Sequence, residues 1–351
     1  MKAIQLVGVG EPLLVNDVPT PSPDDDEVVV QVAGCGVCHT DIGFWKDGVP
    51  TNAPLPLTLG HEVSGTVVEA GANFKDLEGR AVIVPAVIPC GTCDLCRKGR
   101  GNACRKQVMP GNDIPGGFAE YLLVPGRGMC VIDDRGSYDL AEFSVIADAV
   151  TTPFQAIVRS GLDASDFAIV IGAGGIGTYA VQIAAAFGAD VIAVDVDPAR
   201  LDAVSQHGAR HTINAAETDF KALKGEVKAK AKEWGAAAHG WKIFECSGTA
   251  AGQSTAFGLL TYAATLMVVG FTLEKLELRL SNAMAFDATI QGTWGCRPEL
   301  YPEALGLVVK NKITLKPFIE RHPMSDGPGV VDRVAKHELR KRAILEPDWT
   351  S

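Results

Sequence analysis

The segment Ala168-Ile169-Val170-Ile171 runs straight into Gly172-Ala173-Gly174-Gly175-Ile176-Gly177 and then into a helical stretch from Thr178 to Phe187. Few architectures satisfy that order. A short strand that is apolar at every position is buried on both faces, which implies a parallel sheet covered by helices. Gly172, Gly174 and Gly177 fit G-x-G-x-x-G. The first glycine permits the tight turn, the second lets a pyrophosphate approach the backbone, and the third lets helix and strand pack closely. Gly175 and Ile176 complete the loop, and the helix N-terminus offers N–H groups to phosphate. Val191 to Asp195 reads as the next strand and ends on an acid 18 residues past Gly177. A carboxylate there accepts from ribose hydroxyls and repels a 2′-phosphate, so NAD is expected over NADP, with Arg200 flanking the same ribose. A Gly-rich turn in an unrelated sheet is the competing reading. The ordered succession of strand, loop, helix, strand and acid weighs against it.

The alternation continues with a helix near 200–206, a strand near 211–213, a helix from Phe220 to Trp234, and strands at 242–246, 265–269 and 288–292. The five lysines of the 220–234 helix read as a solvated face. Upstream the chain is different. Residues 1 to about 145 mix short β runs, such as Glu27 to Val32, Ser64 to Ala70 and Arg80 to Val84, with Gly and Pro. This is the pattern of a mostly β domain with long loops. A helix is expected from Ser144 to about Ser160 in spite of Pro153, a second from Pro298 to Val309, and a helix then a strand between Val330 and Leu345.

Lys plus Arg is 32 against 42 Asp plus Glu, a formal charge of −10. That disfavours nucleic acid and anionic membranes as partners. No apolar run reaches the length of about 18 residues that a membrane span needs. Met1 to Gln5 reads as a first strand and not a leader. Nine cysteines, an odd number with six in two tight groups, point to metal ligation in a reducing, cytoplasmic setting.

Cys90, Cys93, Cys96 and Cys104 give C-x2-C-x2-C-x7-C. Four thiolates surround one zinc ion and leave no open position, so the site is structural. An iron–sulfur cluster is the rarer use of such a pattern. Arg97, Lys98, Arg100, Arg105 and Lys106 surround this lobe, as an anion patch or, more plainly, a solvated face. Cys35, Cys38, His39, His61 and Glu62 form the other group. Cys38 and His61 need a third protein ligand to leave one coordination position for chemistry, and spacing alone leaves Cys35, Glu62 and Asp148 open. Cys130, Cys246 and Cys296 have no ligand spacing. Phe44, Trp45, Phe118 and Trp294 are candidate pocket residues, although aromatics in such loops are more often core.

Gly34-Cys35-Gly36-Val37-Cys38-His39-Thr40-Asp41, Gly60-His61-Glu62-Val63-Ser64-Gly65, the four-cysteine lobe and the nucleotide loop with Asp195 together carry a likeness. Over nearly its whole length the chain resembles the zinc-containing medium-chain alcohol dehydrogenases. The resemblance implies an α/β protein in which a Rossmann nucleotide-binding domain is inserted in a mostly β, GroES-like catalytic domain. Residues 1–148 would form the first catalytic part, with a structural zinc lobe at 89–105. Residues 149–292 would form the Rossmann domain and 293–351 the rest of the catalytic domain. It implies NAD, two zinc ions per chain, a cleft active site, and a homodimer or homotetramer.

Carried over by position, Cys38 and His61 are catalytic-zinc ligands, and Thr40 is the hydroxyl that meets the substrate oxygen. Glu62 is a neighbour that can swing in to the zinc, Asp41 orients His61, and His39 stands near the cofactor pyrophosphate. Alignment on Thr151-Thr152-Pro153-Phe154 puts Asp148 where the family often has a cysteine ligand. A relay histidine frequent in the family is replaced by Gly43.

Val145 to Pro153, Gly292 to Cys296 and Arg340-Lys341-Arg342 most resemble 6-hydroxycyclohex-1-ene-1-carbonyl-CoA dehydrogenases of aromatic-compound degradation. The reaction implied is oxidation of that alcohol to the 6-oxo compound, with water addition to the enone as a side activity. A CoA thioester would need a basic groove. A polyol or sugar dehydrogenase of the same fold, or a non-catalytic NAD-binding structural protein that keeps only the four-cysteine site, are the alternatives.

Overall fold

The computed structural model describes residues 1–349. The chain divides into two compact units. One is built from residues 1–151, 295–310 and 314 onward, the other from 152–294 and 311–313.

The first unit is mostly β. Its main sheet runs in the order Ile319–Pro323, Arg342–Glu346, Glu27–Gly36, Glu62–Ala70, Ala81–Val84 and Cys130–Val131, with Tyr121–Pro125 also paired to the Glu27 strand. Strand Glu27–Gly36 binds the unit together, because it pairs with strands from residues 62–70, 121–125 and 342–346. Its Val28, Val30 and Val32 enter the core beside Val63, Val67, Phe118 and Leu345. The N-terminal run is a strand, Lys2–Leu6, in a separate three-stranded sheet. Phe44, Trp45 and Phe118 are at most 6% exposed and belong to this core.

The expected helix over 144–160 is two elements. A 3-10 helix covers Leu140–Ala147 and an α-helix covers Thr151–Ser160. Asp148 breaks them, with φ −137 and ψ −55. Asp139 and Glu142 form a capping box on the first piece. Thr151 restarts the chain by donating from Oγ1 to the Ala147 carbonyl at 3.0 Å. Pro153 then falls in the first turn of the new helix, where its missing N–H costs nothing.

The second unit holds a six-stranded, all-parallel sheet in the order His211–Asn214, Asp190–Asp195, Phe167–Ile171, Lys242–Glu245, Thr265–Val268 and Thr289–Gly292. The strand order reverses beside Phe167–Ile171, the switch point at which such sheets bind ligands beyond their carboxyl ends. All five residues of that strand are buried. Helix Phe220–Glu233 is capped by Asp219, whose Oδ1 accepts from the Ala222 N–H at 2.9 Å, and it buries Leu223, Val227 and Ala231 at four-residue spacing.

The third glycine of the loop is required by contact. A Cβ on Gly177 would stand 1.6 Å from the Gly172 carbonyl oxygen, whereas one on Gly174 would meet only the Arg200 side chain at 3.7 Å. Gly177→Ala is therefore expected to lower Tm by at least about 5 °C, an overpacking cost of a few kcal/mol. Gly174→Ala should stay within about 2 °C of the parent. Differential scanning calorimetry of the two variants checks the pair.

Candidate active site and metal centres

In the first unit, helix His39–Trp45 begins right after Cys38, and Asp41 secures that start by accepting the Cys38 N–H on Oδ2 at 2.9 Å. Its other oxygen accepts the Gly60 N–H at 3.1 Å. One buried carboxylate thus ties the Cys38 turn to the segment that carries His61. Asp41 Oδ1 also lies 3.6 Å from His61 Nδ1, an atom with no hydrogen-bond partner among the described residues. The other ring nitrogen, Nε2, is 3.8 Å from Asp148 Oδ2, and Cys38 Sγ is 3.9 Å from the same oxygen.

Cys38, His61, Glu62 and Asp148 each offer one donor atom, all within 4.8 Å of one another. Tetrahedral zinc bonds of about 2.0–2.3 Å give ligand–ligand edges of about 3.3–3.8 Å, so the Cys38, His61 and Asp148 donors stand close to that spacing. The electrostatics fit as well. Burial pulls the His61 pKa down, yet Asp41 and then Asp148 hold it well above the ordinary histidine value. A site that draws a proton onto a buried imidazole is a site that wants a cation.

The three candidates for the third ligand have different surroundings. Cys35 is fully buried and stands outside the donor group, with Sγ donating to the Gly36 carbonyl at 3.8 Å. Glu62 lies in the group but is claimed by Arg342, which donates from Nε to Oε2 at 3.0 Å and from a terminal nitrogen to Oε1. Burial pushes Glu62 up to about 7 against the pull of Arg342. Gly36 makes room for this carboxylate, since a Cβ there would be 2.1 Å from Glu62 Oε2. Asp148 Oδ2 lies 3.8 Å from His61 Nε2 and 3.9 Å from Cys38 Sγ. Thr40 Oγ1 is 3.6 Å from Cys38 Sγ. His39 stacks on His337 at 5.5 Å between ring centroids.

Two residues of this site escaped the sequence reading. Arg342 stood out only as part of a basic tail. Tyr301 donates its hydroxyl to the Ala147 carbonyl, next to Asp148, and accepts from the Ala86 N–H at 3.1 Å. No spacing signal ties either residue to Cys38 or His61.

The second donor group is Cys90, Cys93, Cys96 and Cys104. Its sulfur separations are 3.9 Å (Cys90–Cys96), 3.4 Å (Cys93–Cys96), 3.7 Å (Cys93–Cys104) and 3.5 Å (Cys90–Cys104). Zinc–sulfur bonds of about 2.3 Å make tetrahedral edges of about 3.8 Å, so the four thiols fit one zinc. The lobe is closed at its base by paired backbone hydrogen bonds between Ile88 and Val108, both 2.9 Å. Its helix Asp94–Arg97 buries no residue. With so little core, the lobe needs the metal to fold. Arg97 donates back to the Thr92 carbonyl, so one of its surface cations is structural. Without metal, backbone N–H donors and the Thr92 hydroxyl pull Cys90 down to about 5, while burial and neighbouring thiols push Cys96 up to about 12.

In the second unit Gly172 takes φ +88, and the Gly174 carbonyl accepts from Thr178 N–H at 3.0 Å as the helix begins. Asp195 ends its strand as expected, but its carboxylate also builds the loop. Oδ2 accepts from Ala173 N–H at 2.6 Å, and Oδ1 from Val196 and Asp197 at 2.8 and 2.9 Å. Arg200 lies 3.9 Å from Asp195 and beside Gly174. Trp294 is 51% exposed.

Two family models match the chain, an alcohol dehydrogenase GroES-like domain over residues 24–134 and a zinc-binding dehydrogenase domain over 175–310. An alcohol dehydrogenase of Geobacillus stearothermophilus is 30% identical over 99% of this chain and 100% of its own. L-galactonate-5-dehydrogenase of Escherichia coli (strain K12) is 29% identical over 92% of this chain and 93% of its own. The crystal structure of galactitol-1-phosphate dehydrogenase from Escherichia coli superposes with a TM-score of 0.88 at 27% identity, covering 99% of this chain and 100% of that one. The chain therefore belongs to the zinc-type medium-chain alcohol dehydrogenase family and is an oxidoreductase, a GroES-like domain joined to a Rossmann-like one. Among the described residues no helix is long and apolar enough to cross a membrane.

Purified protein is expected to carry two zinc ions per chain by elemental analysis. Asp148→Ala should lose the one at Cys38 and His61 and keep the other, and Cys96→Ser should do the reverse with a marked loss of thermal stability. Because Cys96 must give up a proton held at about 12 to bind metal, protons compete with zinc for the lobe. Chelator-driven zinc loss from the lobe should be faster at about pH 6 than at about pH 8.

Proposed function

We propose that the protein oxidises a secondary alcohol to a ketone with NAD⁺ as the hydride acceptor. The observation that carries this is the cluster of Cys38, His61 and Asp148 donors, with Glu62 beside it paired to Arg342 and the Thr40 hydroxyl 3.6 Å from Cys38 Sγ. A zinc ion held there supplies Lewis acidity toward the substrate hydroxyl. Thr40 Oγ1 accepts the hydroxyl proton as the alcohol is oxidised. Asp41 keeps the His61 ring in place from the Nδ1 side. Glu62, fixed by Arg342, lends negative charge close to the ligands. Position 43 is glycine, so the chain offers no relay histidine there and the proton from Thr40 would pass to water. The dinucleotide supplies the hydride chemistry. The acid at Asp195 favours NAD over NADP, and a cytoplasmic homodimer or homotetramer is the setting this reading takes.

For the substrate, the local likeness at Val145 to Pro153, Gly292 to Cys296 and Arg340 to Arg342 supports 6-hydroxycyclohex-1-ene-1-carbonyl-CoA, oxidised to the 6-oxo thioester, with water addition to the enone as a secondary activity. Arg342 is occupied by Glu62, so a CoA groove would have to draw on other cations. A polyol or sugar alcohol is the second reading. It is favoured by relatives named for L-galactonate and galactitol 1-phosphate.

NADH formation at 340 nm from the cyclic hydroxyacyl-CoA, its free acid, polyols and simple secondary alcohols decides between them. Turnover confined to the thioester supports the first reading, turnover confined to polyols the second, and no turnover with any alcohol overturns both. Thr40→Ala should lower kcat by about 10²-fold or more while both zinc ions are retained. Asp195→Ala should lower the NAD over NADP preference at least about tenfold, a loss of about 1.4 kcal/mol of discrimination.

A further inference from the structure

The Rossmann-like unit carries a second concavity that the dinucleotide does not use. Its lining residues sit just before three strands: Trp241 precedes Lys242–Glu245, Thr261 and Tyr262 precede Thr265–Val268, and Phe286 precedes Thr289–Gly292. The glycine loop, by contrast, follows Phe167–Ile171. In an all-parallel sheet these are opposite ends, so the two sites are separate.

The cavity is about 540 Å³, in the range of small-molecule sites. One wall is helix Phe220–Glu233, which places Lys224, Lys228 and Lys232 along it at four-residue spacing. Like charges at that spacing repel on a helix surface. No acidic residue among those described lines the cavity, in a chain whose formal charge is −10. Elsewhere on the helix Lys230 pairs with Glu233 at 2.9 Å and Glu226 with His211 at 2.7 Å. Lys224 is engaged locally, donating from Nζ to the Gly258 carbonyl at 2.5 Å, and burial, then Lys228, lowers its pKa.

The rest of the lining is apolar or aromatic. Trp241 is 2% exposed, and Phe286 meets Tyr262 edge to face at 5.3 Å. Thr261 adds a buried hydroxyl with no hydrogen-bond partner. Lys228 and Lys232, without an ion pair among the described residues, stand beside an aromatic wall with one unpartnered hydroxyl, and match a ligand that is flat and apolar at one end and anionic at the other.

We infer that this cavity binds an aromatic anion, a ring bearing one phosphate or carboxylate, with the ring against Tyr262 and Phe286 and the charge toward Lys228 and Lys232. The site is independent of the alcohol-oxidising centre.

The test is isothermal titration of the full-length, zinc-loaded, NAD⁺-saturated protein with phenyl phosphate and, separately, benzoate. Inorganic phosphate and phenol are the half-ligand controls. One molecule of phenyl phosphate or benzoate is expected per chain, at least tenfold tighter than either control, and the tighter of the two identifies the head group. Lys228→Gln/Lys232→Gln should weaken binding at least tenfold with Tm unchanged, and Tyr262→Ala should weaken it without altering the zinc content. The inference is overturned if neither aromatic anion binds, if inorganic phosphate binds as well as phenyl phosphate, if NAD⁺ abolishes binding, or if the double lysine variant binds like the parent.

Discussion

Asp41 and Glu62 are fully buried, Asp148 is partly exposed, and Cys38 lies among them. Carboxylates packed this closely away from water are tolerated only when cations answer them. Within the chain the Arg342 guanidinium answers Glu62, and, against the pull of burial, Asp41 and Asp148 hold the His61 pKa well above the ordinary histidine value. Three acids against one fixed cation leave the cluster short of positive charge, which a divalent ion held by these donors would supply.

The same economy operates in the Rossmann-like unit, with backbone in place of side chains. The Asp195 carboxylate gathers the Ala173 amide of the glycine loop and two amides of the turn that follows its own strand. One acid therefore sets the shape of the loop and the charge beside it. Arg200, lying near both Asp195 and Gly174, moderates that charge at the point where a dinucleotide backbone would approach. The acid is thus partly spent on backbone hydrogen bonds, with a cation 3.9 Å away.

What could be read from the residues follows from the range of the interactions involved. The parallel sheet was legible because its central strands, Phe167–Ile171 and Asp190–Asp195, are short apolar runs that alternate with helical segments. The four-cysteine site was legible because all its ligands lie within one short loop. The break at Asp148 was hidden, since Ser144 to Ser160 has a continuous helical pattern and only the Thr151 hydroxyl and Tyr301, more than a hundred residues on, show why the chain stops and restarts there. Asp148 as the third ligand came from likeness, and spacing alone left Cys35 equally open.

The carboxylate at position 148 also explains why so much support gathers behind it. A thiolate is a soft, single-atom ligand, whereas a carboxylate has two oxygens and several geometries open to it. Holding one oxygen toward Cys38 and His61 calls for a rigid backbone at the residue itself. The Ala147 carbonyl receives hydrogen bonds from both Thr151 and Tyr301, and the Tyr301 oxygen is anchored in turn by the Ala86 amide. Segments far apart in sequence thereby meet on the peptide group that precedes Asp148. The helix break is the device that turns this acid into the donor cluster, and a continuous helix through residue 148 would carry it elsewhere.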